Sequence, residues 1–154
     1  MLGSVTDRND RLQALHEAHR VLKTDGILLA AGISRFASAL DGLRSGFLAD
    51  PAFMKIVESD LKEGQHRNPT DTPAYFMDTF FHHPDELRSE VVEAGFDPVC
   101  VYGLEGPCWL THDFDEWWGD EQRRERLLQI ARALEAEPSL LGISAHLIAV
   151  GRKA

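Results

Sequence analysis

The chain has 154 residues, of which 44% are hydrophobic, so it fits one ordinary domain with a substantial core. It carries 25 acidic and 16 basic residues, and this net charge of -9 argues against nucleic acid or anionic membrane as a partner. Two cysteines are too few for a disulfide scaffold, and no apolar run approaches the ~20 residues of a membrane span. We therefore expect a single domain, residues 1–154, in a reduced, cytoplasmic protein.

The first third of the sequence predicts a helix followed by a buried strand. Residues 6–23 carry leucines at helical spacing, and Asp25-Gly26 is a stop signal for that helix. Residues 27–33 (ILLAAGI) form a continuous apolar run that is too short for most helices. Such a run is typical of a strand buried on both faces of a parallel sheet. A helix and a strand joined by a short glycine turn form half of a βαβ unit.

The next part of the chain, residues 34–82, predicts a helical insertion. Asp50-Pro51 is a start signal for a helix, with a capping aspartate and a proline at the first helical position, and Gly64 closes that helix. Residues 65–73 (QHRNPTDTP) are polar and bounded by proline, which predicts a loop. An insertion here would form a lid on the substrate side of an α/β domain.

The remainder of the sequence returns to alternating helices and strands. Residues 84–94 predict a helix, and residues 99–104 (VCVYGL) predict a strand that the preceding Pro98 favours at a sheet edge. Residues 120–137 predict a long charged helix, and residues 144–151 (SAHLIAVG) predict the closing strand. Three strands separated by helices favour the α/β class over a helical bundle.

Three segments of the sequence share the order and spacing of a known α/β family. They read EAHRVLKTDGILLAAGISRF, DELRSEVVEAGFDPVCVYGLEG and SAHLIAVGRK. The first resembles the fourth helix and fifth strand of class I (Rossmann-like) S-adenosylmethionine-dependent methyltransferases, the second resembles the next helix and the sixth strand, and the third resembles the antiparallel seventh strand. The resemblance implies the C-terminal half of that sheet, with three strands of which the last is antiparallel, and methyl transfer to a small-molecule substrate.

The resemblance also implies S-adenosylmethionine as the cofactor, yet the sequence contains no Gly-x-Gly turn. In this family the cofactor rests on an acidic-x-Gly-x-Gly turn after the first strand and on an acidic residue after the second. Leu2 and Gly3, which resemble the exit of the fourth strand, are the only cofactor-binding candidates. We expect the N-terminal cofactor half to be missing, as in a truncated product or one half of a split enzyme, and the isolated chain to be inactive.

The alternative is a non-catalytic α/β module for binding or dimerisation that derives from a methyltransferase. Without a fourth strand, residues 27–33 would lie at the edge of the sheet, and no Lys, Pro or charge interrupts them. We therefore expect either a homodimer joined at this strand or a complex with a missing N-terminal half.

Candidate substrate-binding residues follow the predicted strands or lie in the insertion. Arg35 follows the run at residues 27–33, at the position where open α/β sheets bind ligands. It either steers a substrate carboxylate or lies exposed at the start of a helix. Polar loop residues and aromatic residues either contact substrate or serve the loop and the core. The predicted substrate-binding residues are Arg35, Arg67, Asn68, Tyr75, Phe76 and Trp109.

His66 and His82 are the candidate bases. Methyl transfer needs positioning, exclusion of water and sometimes a base, and an imidazole can serve a hydroxyl or amine nucleophile. The histidines do not predict a metal site, because the cysteines form no CxxC pair and His19 lies on the apolar stripe of its helix.

Overall fold

A computed structural model describes residues 1–154 and contains six α-helices and five strands. The helices are α1 (Arg8–Val21), α2 (Ala37–Ser45), α3 (Pro51–Glu63), α4 (Pro84–Glu93), α5 (Phe114–Gly119) and α6 (Glu121–Leu134). The strands are β1 (Ile27–Ser34), β2 (Gln65–His66), β3 (Thr79–His82), β4 (Phe96–Gly103) and β5 (His146–Lys153). The α/β class is as predicted. None of the helices is both long enough and apolar enough to cross a membrane.

The five strands form one mixed sheet in the order β2-β3-β1-β5-β4. β3 is parallel to β1, and β5 lies antiparallel between β1 and β4. The prediction of three strands was wrong, because β2 and β3 add two strands from within the predicted insertion. Both are short, at two and four residues, so neither produces a recognisable apolar period. β4 lies at an edge of the sheet, as Pro98 predicted.

β1 has strands on both sides only at its carboxyl end, so the expectation that it forms an edge was wrong there but holds for the rest of the strand. β5 pairs with it from Ile27 to Ile33. On the other side β3 pairs with it only at Ile33 and Ser34. A 3-10 turn, Leu2–Ser4, packs against both β1 and β3. Residues 27–32 therefore have a strand neighbour on one side only.

Helices α1 and α4 cover one face of the sheet. Leu15 of α1 and Val91 of α4 pack onto Ala30, Leu147 and Ala149 of the central strands. All five are buried in the largest core cluster of the molecule. Full burial of a large aliphatic side chain contributes about 1.5–3 kcal/mol, so this face provides most of the hydrophobic stabilisation.

The opposite face of β1, β5 and β4 carries an apolar surface that is not buried. Its two rows of cross-strand neighbours are Leu29, Val150 and Cys100, and Ala31, Ile148 and Tyr102. None of these six residues is buried, and Leu29 is 63% exposed. We refer to these six residues as the open sheet face.

Helices α2 and α3 form a separate layer with a small core of its own. Phe53, Ile56 and Val57 of α3 pack there against Tyr75. The predicted start and stop of α3 are confirmed, since Asp50 accepts a hydrogen bond from the backbone of Ala52 and Gly64 ends the helix in the left-handed conformation.

Candidate functional site

Four strands bring their ends together at one edge of the sheet. β1 ends at Ser34 beside His82, the last residue of β3. β4 ends at Gly103, and β5 begins at His146 opposite Ile33. Open α/β sheets bind their ligands outside the carboxyl ends of parallel strands. We refer to this region as the carboxyl edge.

Arg35 lies at the carboxyl edge, but its guanidinium is already paired. Nη2 donates to Glu86 of α4, and Nε donates weakly to the carbonyl of Phe81 at 3.4 Å. The Arg35 side chain is largely buried, whereas that of Glu86 is about half exposed. The pair holds the start of α4 against β1, so a substrate carboxylate would have to compete with Glu86 for this arginine.

His66 is buried, and both of its ring nitrogens have partners within the fold. Nδ1 lies 2.8 Å from Asp60 Oδ2, and Nε2 donates to the carbonyl oxygen of Tyr75 at 2.7 Å. Burial lowers the pKa of His66, but these hydrogen bonds raise it more, and the net direction is upward. Because both ring nitrogens contact oxygen atoms of the fold, His66 makes structural contacts and has no free nitrogen.

His82, the second candidate base, is fully buried. Its Nε2 lies 3.3 Å from Glu90 Oε2, and its Nδ1 is buried without a hydrogen-bond partner. Burial raises the pKa of Glu90, but the hydrogen bonds from His82 and Arg11 outweigh it and lower that pKa to about 2. His82 thus belongs to a network between the sheet and α4.

The loop after β2 lies away from the carboxyl edge. β2 is antiparallel to β3, and His66 pairs with Thr79, the first residue of β3, so the loop leaves from the opposite end of that strand. Asn68 organises the loop by donating to the carbonyls of Thr72 and Phe76. The remaining candidates of this region are the exposed Arg67 and Phe76 and the buried Tyr75, whose hydroxyl donates to Asp50. None of them joins Arg35 or Trp109.

The best-formed polar cluster at the carboxyl edge consists of Glu105, Ser144 and His146. Glu105 Oε2 accepts from Ser144 Oγ at 2.8 Å and from the backbone nitrogen of His146 at 3.0 Å. Glu105 Oε1 pairs with His146 Nδ1. Ser144 Oγ in turn accepts from the backbone nitrogens of Glu105 and Gly106 at 3.0 and 3.2 Å. The cluster fixes the turn after β4 to the start of β5.

In the Glu105–His146 pair, one ring nitrogen of His146 remains accessible to a ligand. Burial raises the pKa of Glu105, but hydrogen bonds from His146 and Ser144 lower it to about 2. The hydrogen bond to Glu105 raises the pKa of His146 against the opposing effect of burial. The His146 side chain is about half exposed, and its Nε2 makes no hydrogen bond within the chain. A carboxylate that orients an imidazole in this way prepares the other nitrogen to accept or donate a proton.

A cavity of about 190 Å³ lies beside this cluster. Trp109 lines it, with its Nε1 fixed by donation to the carbonyl of Ile143 at 2.8 Å. Glu105 is the only charged residue of the lining, since burial raises the pKa of the Cys108 thiol and keeps it neutral. The lining residues are Leu104, Glu105, Cys108, Trp109, Phe114, Trp118, Leu127, Leu128 and Ala131. Trp109 is thus the one predicted substrate-binding residue that meets a polar cluster and an apolar cavity together.

Leu2 and Gly3 do not form a cradle for S-adenosylmethionine. Leu2 packs against the main core, and Gly3 is buried. A Cβ atom on Gly3 would lie 2.6 Å from the carbonyl oxygen of Phe80, so the backbone of β3 packs directly against Gly3. These two residues do not fit the cofactor. No group of three or more His, Cys, Asp or Glu side chains is placed to hold a metal ion.

Neither a scan of protein-family models nor a search of curated proteins finds a match to this chain. The case for a function therefore depends on the geometry of the carboxyl edge and on the order of the strands.

Proposed function

We propose that the chain forms the substrate-side half of an S-adenosylmethionine-dependent methyltransferase that acts on a small molecule. The observation that carries this proposal is the position of β5, which lies antiparallel beside β1 and is the last strand of the chain. In the family that the sequence resembles, the fifth strand likewise lies next to an antiparallel seventh strand. The two strands concerned are the ones whose sequences, ILLAAGIS and HLIAVGRK, resemble those of the family.

In this proposal the chain binds and orients the methyl acceptor at the carboxyl edge. Glu105 orients His146, and Trp109 walls the adjacent cavity. We assign the role of base to His146 instead of His66 or His82, because only His146 combines a free ring nitrogen with exposure to solvent. The cofactor supplies the reactive methyl group when it is bound. Its contacts would come from polypeptide outside residues 1–154, since Leu2 and Gly3 do not fit it.

The coding DNA upstream of Met1 provides the first test. An in-frame acidic-x-Gly-x-Gly segment after an apolar strand would support the proposal, and the extended protein should then bind S-adenosylmethionine in titration calorimetry. An upstream stop codon followed by a ribosome-binding site would favour the non-catalytic alternative.

The isolated chain provides the second test. We expect very weak or no binding of S-adenosylmethionine to residues 1–154, because a glycine turn and a ribose-binding carboxylate supply most of the polar contacts to such cofactors. Micromolar affinity for the isolated chain would show that the cofactor site lies within these residues and that our assignment of its contacts is wrong.

The open sheet face favours a second candidate function, a dimerisation or docking module. Monomeric proteins rarely expose contiguous apolar patches beyond a few hundred Å², and larger ones mark interfaces. Leu29, Ala31, Ile148 and Val150 are apolar residues that are not buried and that lie next to one another on neighbouring strands. A second copy of the chain and a cofactor-binding half are the two occupants that this candidate allows.

A further inference from the structure

We propose that the cavity beside Glu105 binds a small organic amine in its protonated form, with an aromatic or branched apolar body inside the cavity. This inference rests on the proposed function only where it makes the amine the methyl acceptor. The bound ammonium group would then first transfer a proton to His146, which frees the lone pair that attacks the methyl group. The binding itself follows from the walls, the charge and the size of the cavity.

The walls of the cavity suit a cation with an apolar body. Three aromatic side chains, Trp109, Phe114 and Trp118, line it together with leucines. The face of an aromatic ring, and of tryptophan above all, attracts ammonium groups. Trp118 and Leu104 are 46% and 49% exposed at this cavity. Large apolar side chains that remain half exposed around a concave site are the surfaces that a ligand would bury.

The negative charge of Glu105 favours a ligand that donates a hydrogen bond over one that accepts it. Glu105 stays ionised at neutral pH, because its pKa lies at about 2. A carboxylate offers about four acceptor positions, and three are used by Ser144 Oγ, the His146 backbone nitrogen and His146 Nδ1. One position remains for a ligand N–H. The lining contains no basic residue, and His146, which pairs with Glu105 Oε1, lies outside it. An anionic ligand would therefore find no cation in the walls of the cavity.

The size of the cavity limits the ligand to a small molecule. Pockets for drug-sized ligands enclose roughly 300–1,000 Å³, whereas this cavity encloses about 190 Å³. One ring with a short aminoalkyl chain is therefore a suitable probe.

Calorimetry with three ligands that share a phenylalkyl body tests the inference on the intact chain. The probes are 2-phenylethylamine, the neutral 2-phenylethanol and the anionic 3-phenylpropionate. We expect the amine to bind about 10-fold more tightly than the alcohol, since one cation–aromatic contact and one charge-assisted hydrogen bond together contribute at least ~1.4 kcal/mol. The acid should not bind. Equal affinities for the three probes, or no binding of the amine, would overturn the inference.

Two neighbouring tryptophans provide a matched pair of variants. Trp118→Ala removes a wall of the cavity and should weaken amine binding about 10-fold. Trp117→Ala should leave amine binding unchanged, because Trp117 lies beneath Arg123 and lines a neighbouring cavity. That cavity shares Cys108 and Leu127 with the proposed site but none of its aromatic walls. Equal effects of the two variants would exclude this cavity as the site.

Glu105→Gln tests the charge directly. It should abolish the preference for the amine over the alcohol while both ligands still bind. Glu105 also anchors the start of β5. The circular dichroism of Glu105→Gln is therefore compared with that of the wild type. If this variant does not fold, Trp118→Ala remains the deciding variant.

The failure of this inference is distinguishable from failure of the proposed function. An amine that binds but is never methylated by a cofactor-binding form of the protein leaves the binding site intact and removes the methyltransferase assignment. Methyl transfer to another acceptor, without amine binding, would support the methyltransferase assignment and exclude the amine site.

Discussion

Arg11 of α1 and Glu90 of α4 form a bidentate ion pair that is almost completely buried. Arg11 Nη2 lies 2.7 Å from Glu90 Oε1, and Arg11 Nε lies 3.1 Å from Oε2. The same guanidinium lies over the ring of Phe80 in β3, 3.7 Å from its centroid. Glu90 Oε2 also lies 3.3 Å from Nε2 of His82. One carboxylate thus connects both helices of the covered face to β3.

Replacing Glu90 with Gln should destabilise the fold by about 3–5 kcal/mol, because it leaves the Arg11 charge buried and uncompensated. Urea unfolding at neutral pH measures the loss. Glu93→Gln is the matched control in the same helix, since Glu93 pairs with Arg8 at 2.6 Å but both side chains are about half exposed. Exposed ion pairs contribute little to stability. Equal losses in the two variants would show that burial does not determine the effect.

Acid should destabilise the wild-type protein in a defined window. The pKa of Glu90 falls from 4.5 to about 2 on folding, so its ionised form stabilises the folded state above pH 4.5 and that contribution is lost as the pH falls through about 2. The shift corresponds to roughly 3 kcal/mol. Urea unfolding between these two pH values should show a steeper loss for the wild type than for Glu90→Gln. Parallel pH profiles would contradict the assignment.

Alkaline pH should weaken the contact between α3 and β2. The raised pKa of His66 means that the folded state favours its protonated ring. Its contribution is therefore complete below pH 6.5 and is lost as the pH rises through the folded-state pKa. The free energy of unfolding, measured at about pH 6 and about pH 9, should fall more for the wild type than for His66→Gln. If both proteins lose the same amount, another group causes the alkaline effect.

Gly64 and Gly46 both adopt left-handed conformations, with φ of 71° and 77°, but only Gly64 approaches other backbone closely. A Cβ on Gly64 would lie 2.3 Å from the carbonyl oxygen of Phe81, whereas a Cβ on Gly46 would meet nothing within 4 Å. Gly46→Ala should therefore cost about 1–2 kcal/mol from backbone strain alone. Gly64→Ala should cost at least about 2 kcal/mol more through the clash. Thermal unfolding of the two variants measures the difference, and similar melting temperatures would contradict it.

A homodimer formed through the open sheet face should depend on Leu29. The wild type should sediment as a dimer at high micromolar concentration, and Leu29→Glu should give monomer or precipitate, because it places an uncompensated charge in an apolar interface. Val92→Glu is the control, since Val92 is exposed on α4, the helix that covers the other face. A monodisperse wild-type monomer would remove the homodimer, and a dimer unaffected by Leu29→Glu would place its interface elsewhere.

The long strands were predictable from the sequence, and the short ones were not. β1 and β5 have eight residues each and contain continuous apolar runs, which local reasoning detects. β3 finds its partner in β1, at Ile33 and Ser34, and β2 pairs in turn with β3. That partnership is a tertiary contact and has no local pattern. Residues 79–82 were therefore assigned to the insertion instead of the sheet.

The candidate site was only partly predictable for the same reason. Trp109 was predicted as a substrate-binding residue because it is aromatic and follows a predicted strand. His146 was hidden within a strand-like run, 41 residues from Glu105, and only the sheet register brings the two together. The sequence made His66 and His82 candidate bases because they carry imidazoles. Their burial among Asp60, Glu90 and the sheet is a property of the packed fold, which the sequence does not show.

A partner that covers the open sheet face would also lengthen the time for which the protein survives in a cell. Apolar area that is buried only in a complex adds to stability by mass action, so the folded fraction rises with the concentration of whatever covers it. Copies made in excess of that partner spend more time unfolded, where proteases and chaperones remove them. With such a partner, the abundance of this chain should follow the abundance of the partner, even without any transcriptional control that links the two.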